Sequence, residues 1–457
     1  MQSFDLIVIG GGPGGYVAAI KAAQAGKNVA LVEKEAVGGV CLNWGCIPTK
    51  AMLKSAKVYQ TIRNAKSYGF TLDQDSLKVD FPSIIKRKNR AVKKLTGGVG
   101  YLLKKNGVKV FDGFASVKDA NTVEVNDETL ETKNLIIATG ASPAVPPIDG
   151  LKQQLDAGNV LTSKEILDIK TLPKSLTVIG GGVIGVEFAT IFNALGSEVT
   201  ILERESDILL EVDEELKAIF KKKLQKDGVK ILTNAAVSKV EKGRVTYTYN
   251  EESETIDAKS ILLAAGMKPN LKGLENLELS MSKTGIETDE YCRTSVDGVY
   301  AIGDVNGKYM LAHVASKEGV VAVEHMFSHA RPMDYNRVPS GIYTFPDIAQ
   351  VGLTESAAKA QGLDIKVATF PMSANGKALA EGESDGLVKL IALKEHNIII
   401  GAHILAPSAT EMIAEAVLGM TLETTADDIV EAIHPHPTLS EMMHEVAHGI
   451  VDKPIHI

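Results

Sequence analysis

The chain has 457 residues, 45% hydrophobic and 23% charged, with a net charge of -8 at pH 7. That length suggests about three domains at roughly 150 residues each, and the composition excludes a disordered or fibrous chain. The acidic balance excludes a general footprint for nucleic acid or anionic membrane, and three cysteines are too few for a disulfide framework.

The opening Met1-Gln2-Ser3-Phe4-Asp5 lacks the basic and apolar regions of a signal peptide. A cytoplasmic protein is expected. In a reducing cytosol a close cysteine pair reads as redox-active or metal-binding before it reads as a structural bridge.

The first pattern is "FDLIVIGGGPGGYVAAIKAAQAGKNVALVEK": an apolar strand, the glycines Gly10, Gly12 and Gly15 in G-x-G-x-x-G spacing, a helix, and a second strand ending at Glu33. Strand, glycine turn and helix in that order predict a dinucleotide site, with the pyrophosphate at the helix N-terminus and the acidic residue on a ribose diol. A lone fingerprint of this kind can also be no more than a glycine-rich turn.

Next comes "GGVCLNWGCIPTK", Gly38 to Lys50, with Cys41 and Cys46 flanking the only tryptophan, Trp44. Zinc needs four ligands in most structural sites, and no second cysteine pair exists. Redox exchange and two merely buried thiols remain. In an unbroken helix residues five apart would have Cα atoms roughly 8.7 Å apart, too far for a disulfide, so a bridge requires irregular backbone, which Gly45 can supply. Pro48 marks a helix start, which puts Cys46 near a helix N-terminus where the dipole favours thiolate. For Trp44 we expect packing of the loop. The basic run Lys86 to Lys94 reads as a solvated helix face.

"LIIATG" at Leu135 to Gly140 reads as another short strand, and prolines from Ser142 to Gly150 suggest a linker. The fingerprint then recurs in "LTVIGGGVIGVEFATIFNALGSEVTILER", with Gly180, Gly182, Gly185 and Glu203 at the spacing of the first copy. Leu176 to Leu195 is apolar enough to approach a membrane span, but Glu187 and its glycines favour a buried strand-turn-helix. Glu203 would repel a 2'-phosphate and so favours NAD over NADP, with Arg204 weakening that preference. Two such sites imply two dinucleotides, and a flavin is the natural partner of the nicotinamide. "ILLAAG" at Ile261 to Gly266 and "GVYAIGD" at Gly298 to Asp304 add strands to these domains. Past Arg337 the glycine pattern stops, and a separate α+β domain is expected.

"HPHPTLSEMMHEVAHG" closes the chain. His444 and His448 match H-E-x-x-H, but the third ligand of the extended form is replaced by Pro454, so no metal site is expected. His436 lies between prolines before a helix. It is either a surface histidine, with Thr438 and Glu441 forming a capping box, or a base oriented by Glu441.

In this order, "GGGPGGYVAAIKAAQAG", "GGVCLNWGCIPTK", "GGGVIGVEFA", "GVYAIGD", "MLAH" and "HPHPTLSE" resemble the flavoprotein disulfide reductases over nearly the whole chain. Within that family the resemblance is to members that act on dihydrolipoamide. It implies an α/β fold with two Rossmann-like dinucleotide-binding domains, for FAD and NAD, and a C-terminal α+β dimerisation domain. Residues 1–145 and 273–336 would form the FAD-binding and central parts, 146–272 the NAD domain, and 337–457 the interface.

By the same resemblance Cys41 exchanges with substrate sulfur and Cys46 meets the flavin. His436 with Glu441 is the base for the other subunit of a homodimer, and Lys50 pairs with Glu187 near the flavin. Gly113, Thr139, Gly140, Asp304, Met310, Leu311, Ala312 and His313 line FAD, and Val237 and Gly266 line NAD. The implied partners are lipoyl domains and the acyltransferase core of 2-oxo acid dehydrogenase complexes, or the glycine-cleavage lipoyl protein. No lipoyl-type segment precedes Met1, so the lipoyl group is expected on another protein.

Overall fold

Residues 2–457 are described in a computed structural model. Two five-stranded parallel sheets carry the glycine fingerprints. The first has the strand order Val299–Ala301, Leu135–Ile137, Leu6–Ile9, Val29–Glu33, Lys109–Asp112. The second runs Val160–Leu161, Ile261–Leu263, Ser175–Ile179, Glu198–Leu202, Lys230–Leu232. Leu6–Ile9 and Ile261–Leu263 are buried at every position, the pattern of strands covered on both faces. The chain enters the second sheet at Val160 and returns to the first at Val299.

Smaller sheets flank both: the antiparallel meander Ala115–Asp119, Thr122–Val125 and Glu128–Thr132, with Gln2–Phe4 added in parallel to its last strand, lies beside the first, and the antiparallel meander Ala236–Glu241, Arg244–Tyr249 and Glu252–Asp257 beside the second. The C-terminal sheet is antiparallel, in the order Ser340–Ile342, Asp347–Gly352, Ile399–Ala406, Leu387–Leu393, Ile365–Pro371. Its core includes Met412, Ile413 and Ala416 of the helix Ala409–Thr421, and Met443, Val446 and Ala447 of the helix Glu441–Val451. The expected α/β class with a distinct C-terminal α+β region is the observed architecture.

The segment expected to be a linker is partly a strand. Ala141–Pro143 pairs antiparallel with Met267–Pro269, because the two connections between the parallel sheets run side by side. The basic run also departs from a fully solvated face. Lys88 is 2% exposed, and its ammonium reaches the Leu167 carbonyl at 2.8 Å and Asp168 at 2.7 Å. Its long apolar stem is covered while the charged end finds acceptors. No helix among the described residues is long and apolar enough to cross a membrane.

Candidate active site

In each parallel sheet the candidate residues lie beyond the carboxyl ends of the strands, where open α/β sheets bind ligands. In the first sheet Gly10 follows Leu6–Ile9, Glu33 ends its strand, Gly113 follows Lys109–Asp112, Thr139 follows Leu135–Ile137, and Asp304 follows Val299–Ala301. The second sheet repeats this with Gly180, Glu203 and Gly266.

Gly10 has φ +104°, and a Cβ there would lie 2.1 Å from the Ala138 carbonyl oxygen. Its counterpart Gly180 has φ +110° and would meet the Ala264 oxygen at 2.4 Å. Only glycine serves both the left-handed backbone and the close strand crossing.

The helices that follow, Pro13–Gln24 and Val183–Ala194, have no side-chain cap and no acid in the first turn. Their free N–H groups and positive dipole end suit a pyrophosphate. There is room for one: a Cβ built on Gly12 meets nothing nearer than Gly39 Cα at 3.9 Å, and one on Gly182 meets nothing within 4 Å. Gly15 and Gly185 lie inside their helices, pressed against the carbonyls of Gly10 and Gly180.

The two acids are placed alike. Glu33 accepts the N–H of Gly11 at 2.7 Å and of Glu35 at 2.7 Å, and Glu203 accepts Gly181 at 2.6 Å and Glu205 at 2.8 Å. A carboxylate has about four lone-pair directions, so each keeps capacity for a ribose diol. Arg204, whose charge weakened the NAD preference in the sequence, has its Nε 2.9 Å from Glu205. Both cradles fit a dinucleotide.

The cysteine stretch breaks where a bridge requires it. One helix spans Gly39–Trp44, Gly45 departs to φ -137°, ψ -112°, and a second helix runs Cys46–Arg63. The second helix begins at Cys46 rather than Pro48, since proline is tolerated within a first turn whose N–H groups are unpaired. Both cysteines are free thiols and partly buried. They hydrogen-bond to each other and differ sharply. The bond from Cys41 holds Cys46 below the ordinary thiol range, assisted by Lys50, while that same bond and burial push Cys41 well above it. Cys46 is therefore the thiol that ionises first.

Trp44 packs against the core and also carries the Lys164 ammonium 4.2 Å from its ring centroid; Lys164 pairs in turn with Glu35.

Lys50 meets both oxygens of Glu187, at 2.9 and 2.8 Å. Glu187 is 5% exposed in a helix that also buries Val186, Phe188, Ala189, Ile191 and Phe192. Burying each large apolar side chain contributes roughly 1.5–3 kcal/mol, so this helix is a firm seat for the carboxylate. A third member was not legible in the sequence: Tyr343, whose N–H donates to Glu187 at 3.0 Å and whose ring lies 4.2 Å from the Lys50 ammonium.

Thr139 and Gly140 are tied to Asn270, with the Thr139 hydroxyl donating to the Asn270 carbonyl at 2.7 Å and the Asn270 N–H to the Gly140 carbonyl at 2.9 Å. Gly266 accepts the Ala144 N–H at 2.9 Å, and Val237 pairs with Tyr247 in the second meander. Met310 is exposed, Leu311 precedes the helix that Ala312 begins, and His313 Nε2 lies 2.8 Å from the Pro339 carbonyl. Burial and the neighbouring Glu318 push Asp304 up to about 6. Glu318 itself, fully buried, was missed in the sequence although its position just before an apolar helical run was a usable signal.

His436 Nδ1 is 2.8 Å from Glu441 Oε1, and the other oxygen of Glu441 accepts the Thr438 N–H at 2.8 Å. The contact that orients the imidazole is present, whereas the expected capping box is only half formed: the helix begins at Glu441 with Ser440 as its N-cap, and the Thr438 hydroxyl donates to the Pro435 carbonyl at 2.7 Å. Burial works against its ionised form, yet the Thr438 N–H and the His436 ring bring its pKa below the usual value. His436 is 77% exposed, and among the described residues no hydrogen bond joins it to Cys41 or Cys46 of its own chain. His444 Nε2 is 3.1 Å from the Val430 carbonyl, while Glu445 holds His456 at 2.7 Å.

The pyridine nucleotide-disulphide oxidoreductase family pattern matches residues 4–319, and the dimerisation domain of that family matches 338–447. The chain is 53% identical over 336 residues to a dihydrolipoyl dehydrogenase of Acholeplasma laidlawii, covering 73% of this chain and 99% of that protein. It is 43% identical over 464 residues to that of Geobacillus stearothermophilus, covering 99% of this chain and 97% of the relative. Among solved structures it is similar to the HOCl-induced flavoprotein disulfide reductase RclA from Escherichia coli, with a TM-score of 0.86 and 29% identity over 98% of this chain and 99% of that one.

Proposed function

This chain belongs to the pyridine nucleotide-disulphide oxidoreductase family, and on that premise we propose that it oxidises protein-bound dihydrolipoamide to lipoamide and reduces NAD+ to NADH. The substrate reading is supported by relatives named dihydrolipoyl dehydrogenase that align over nearly the full chain. The observation that carries the chemistry is the unequal thiol pair at the broken helix, Cys46 low and Cys41 high.

The first cradle would hold FAD through Gly10, Gly12, Gly15, Glu33, Gly113, Thr139, Gly140, Asp304 and the 310–313 segment. The second would hold NAD through Gly180, Gly182, Gly185, Glu203, Val237 and Gly266. When bound, FAD supplies the electron relay between a dithiol and a nicotinamide, chemistry that no side chain provides.

In the oxidised enzyme Cys41 and Cys46 form a disulfide. His436 of one protomer, oriented by Glu441, takes a proton from a dihydrolipoamide thiol bound at the other. The thiolate attacks Cys41, the Cys41–Cys46 bond breaks, and Cys46 leaves as the stabilised thiolate. The second substrate sulfur then displaces Cys41 from the mixed disulfide, closing the lipoyl ring and leaving both enzyme cysteines reduced. Lys50, paired with Glu187, supports the thiolate on Cys46. The dimerisation domain supports a homodimer. We further propose a cytoplasmic protein serving 2-oxo acid dehydrogenase complexes or glycine cleavage through their lipoyl domains.

The test is steady-state reduction of NAD+ and NADP+ with dihydrolipoamide, beside reduction of glutathione disulfide with NADPH. Dihydrolipoamide with NAD+ is expected to dominate. Preference for NADPH and glutathione disulfide would overturn the reading.

A further inference from the structure

Glu318 is 0% exposed, and its three hydrogen-bond partners are all neutral. It accepts the Gly303 N–H at 2.6 Å, the Asn306 side-chain amide at 2.9 Å and the Tyr335 hydroxyl at 2.7 Å. A carboxylate buried with no cation bonded to it is an expensive choice. Its partners show why a carboxylate is needed there. Asn306 must present its NH2, because its oxygen is already taken by the Lys308 N–H at 3.0 Å. Three donors converge on one group, and only an acceptor-only side chain satisfies them all.

Those donors define what Glu318 holds. Gly303 and Asn306 are the two ends of the short turn Gly303–Asn306, and Asp304 lies between them. Tyr335 ties the same carboxylate to the segment leading into the C-terminal sheet. The helix that carries Glu318, Ala312–Phe327, is itself pressed onto the first fingerprint helix. A Cβ on Gly319 would lie 2.8 Å from the Gly14 carbonyl oxygen, so the two backbones touch at the residue next to Glu318. One helix thus links the two: its backbone at Gly319 touches the phosphate cradle at Gly14, and its Glu318 side chain holds the turn that presents Asp304.

We propose that Glu318 is a positioning residue for the flavin cofactor: its buried carboxylate ties the Gly303–Asn306 turn to the helix Ala312–Phe327, which packs on the fingerprint helix, and so fixes Asp304 where the cofactor meets it. This rests on the reading of Asp304 as a cofactor contact. It extends that reading to a residue that does not itself touch the flavin. Glutamine has nearly the same shape, but it sets an NH2 group among three donors and leaves at least one of them unpaired.

The experiment measures flavin release from the purified holoenzyme in mild chaotrope, followed by the rise in free-flavin fluorescence, together with the visible circular dichroism of the flavin still bound. The variants are Glu318→Gln, Tyr335→Phe, Asp304→Ala and, as a control for general loss of stability far from the cradle, Lys389→Met. Glu318→Gln is expected to release flavin about tenfold faster or more, since a hydrogen bond to a charged group is lost, and to change the bound-flavin circular dichroism. Tyr335→Phe is expected to release it a few-fold faster, and Lys389→Met at the wild-type rate with the wild-type spectrum.

If Asp304→Ala releases flavin faster while Glu318→Gln and Tyr335→Phe match wild type in rate and spectrum, the proposal is overturned and Glu318 merely packs. Equal acceleration by Lys389→Met, with no spectral change in Glu318→Gln, would also overturn it. If Asp304→Ala itself matches wild type, the reading of Asp304 fails instead. Should Glu318→Gln not fold, Tyr335→Phe decides, and wild-type release and spectrum in that variant overturn the proposal.

Discussion

Glu187 and Tyr343 are joined across 156 residues of chain by one bond, the Tyr343 N–H to Glu187 Oε1 at 3.0 Å. The Lys50 ammonium fills the space between them, bonded to the carboxylate and 4.2 Å from the tyrosine ring. The C-terminal sheet therefore reaches the charges that bear on Cys46. Lys50 lowers the Cys46 pKa and Glu187 raises it. Lys50→Met should raise the pH at which the Cys46 thiolate forms, and Glu187→Gln should lower it, because the first removes a cation that favours the thiolate and the second an anion that opposes it. Ultraviolet thiolate absorbance of the reduced protein against pH checks both signs. Movement in the same direction would remove the electrostatic account of Cys46.

His436 stands exposed and paired with Glu441, without a hydrogen bond to its own chain's cysteines. If it serves the partner's site, His436→Gln should cut turnover by about 10²–10⁴-fold, the usual range for general acid-base catalysis. Glu441→Gln should cost less, because the imidazole remains. Mixed dimers of His436→Gln and Cys41→Ser protomers are the sharper measurement. Each parent homodimer should be nearly inactive, whereas the heterodimer keeps one intact site and should recover activity in proportion to its abundance. Equally inactive mixed dimers, with subunit exchange verified by mass, would exclude catalysis across the interface.

Lys389 and Asp213, each side chain 4% exposed, lie 3.1 Å apart, and Glu355 approaches the same ammonium at 2.7 Å. Removing the cation strands Asp213 as a buried charge. Lys389→Met should destabilise the protein by about 3 kcal/mol, and Glu355→Gln by about 1 kcal/mol or less because that side chain is partly solvated. Urea unfolding at neutral pH gives both numbers. A Lys389→Met variant as stable as wild type would mean that Asp213 is neutralised at little cost.

Burial pushes Asp347 up to about 6, and Glu187 adds to the effect. A raised carboxyl keeps its proton in the native state while the unfolded chain, with an ordinary value of about 3.9, has lost it. Its contribution to stability is full below pH 4 and lost as pH rises through 6. Asp347→Asn, which keeps the oxygen bonded to the Thr344 N–H at 3.1 Å, should therefore be more stable than wild type at pH 8, by about 1–2 kcal/mol, and no more stable at pH 4. Urea midpoints at the two pH values decide it. Equal gains at both would assign the effect to packing.

Legibility followed the range of the constraint. Gly10 and Gly180 were readable because their turns are fixed by residues a few positions away, and the Gly45 break followed from helix geometry applied to Cys41 and Cys46. Tyr343 was not readable, since nothing within 156 residues of Glu187 marks it as a partner. Lys88 looked solvated because its neighbours in sequence are basic; the covering atoms at Leu167 and Asp168 come from another part of the chain. Trp44 gained its cation from Lys164 in the same way. Glu318 was within reach of the argument that singled out Glu187, a charge in an apolar helix, but the turn it holds is defined only by the fold.

The most direct measurement is anaerobic titration of the purified protein with dihydrolipoamide, followed in the visible spectrum and then by addition of NAD+. One equivalent should produce a long-wavelength absorbance from the Cys46 thiolate beside oxidised flavin. That band should persist in Cys41→Ser, vanish in Cys46→Ser, and be discharged in wild type by NAD+ with formation of NADH. A spectrum unmoved by dihydrolipoamide, or a band that survives Cys46→Ser, would contradict the account.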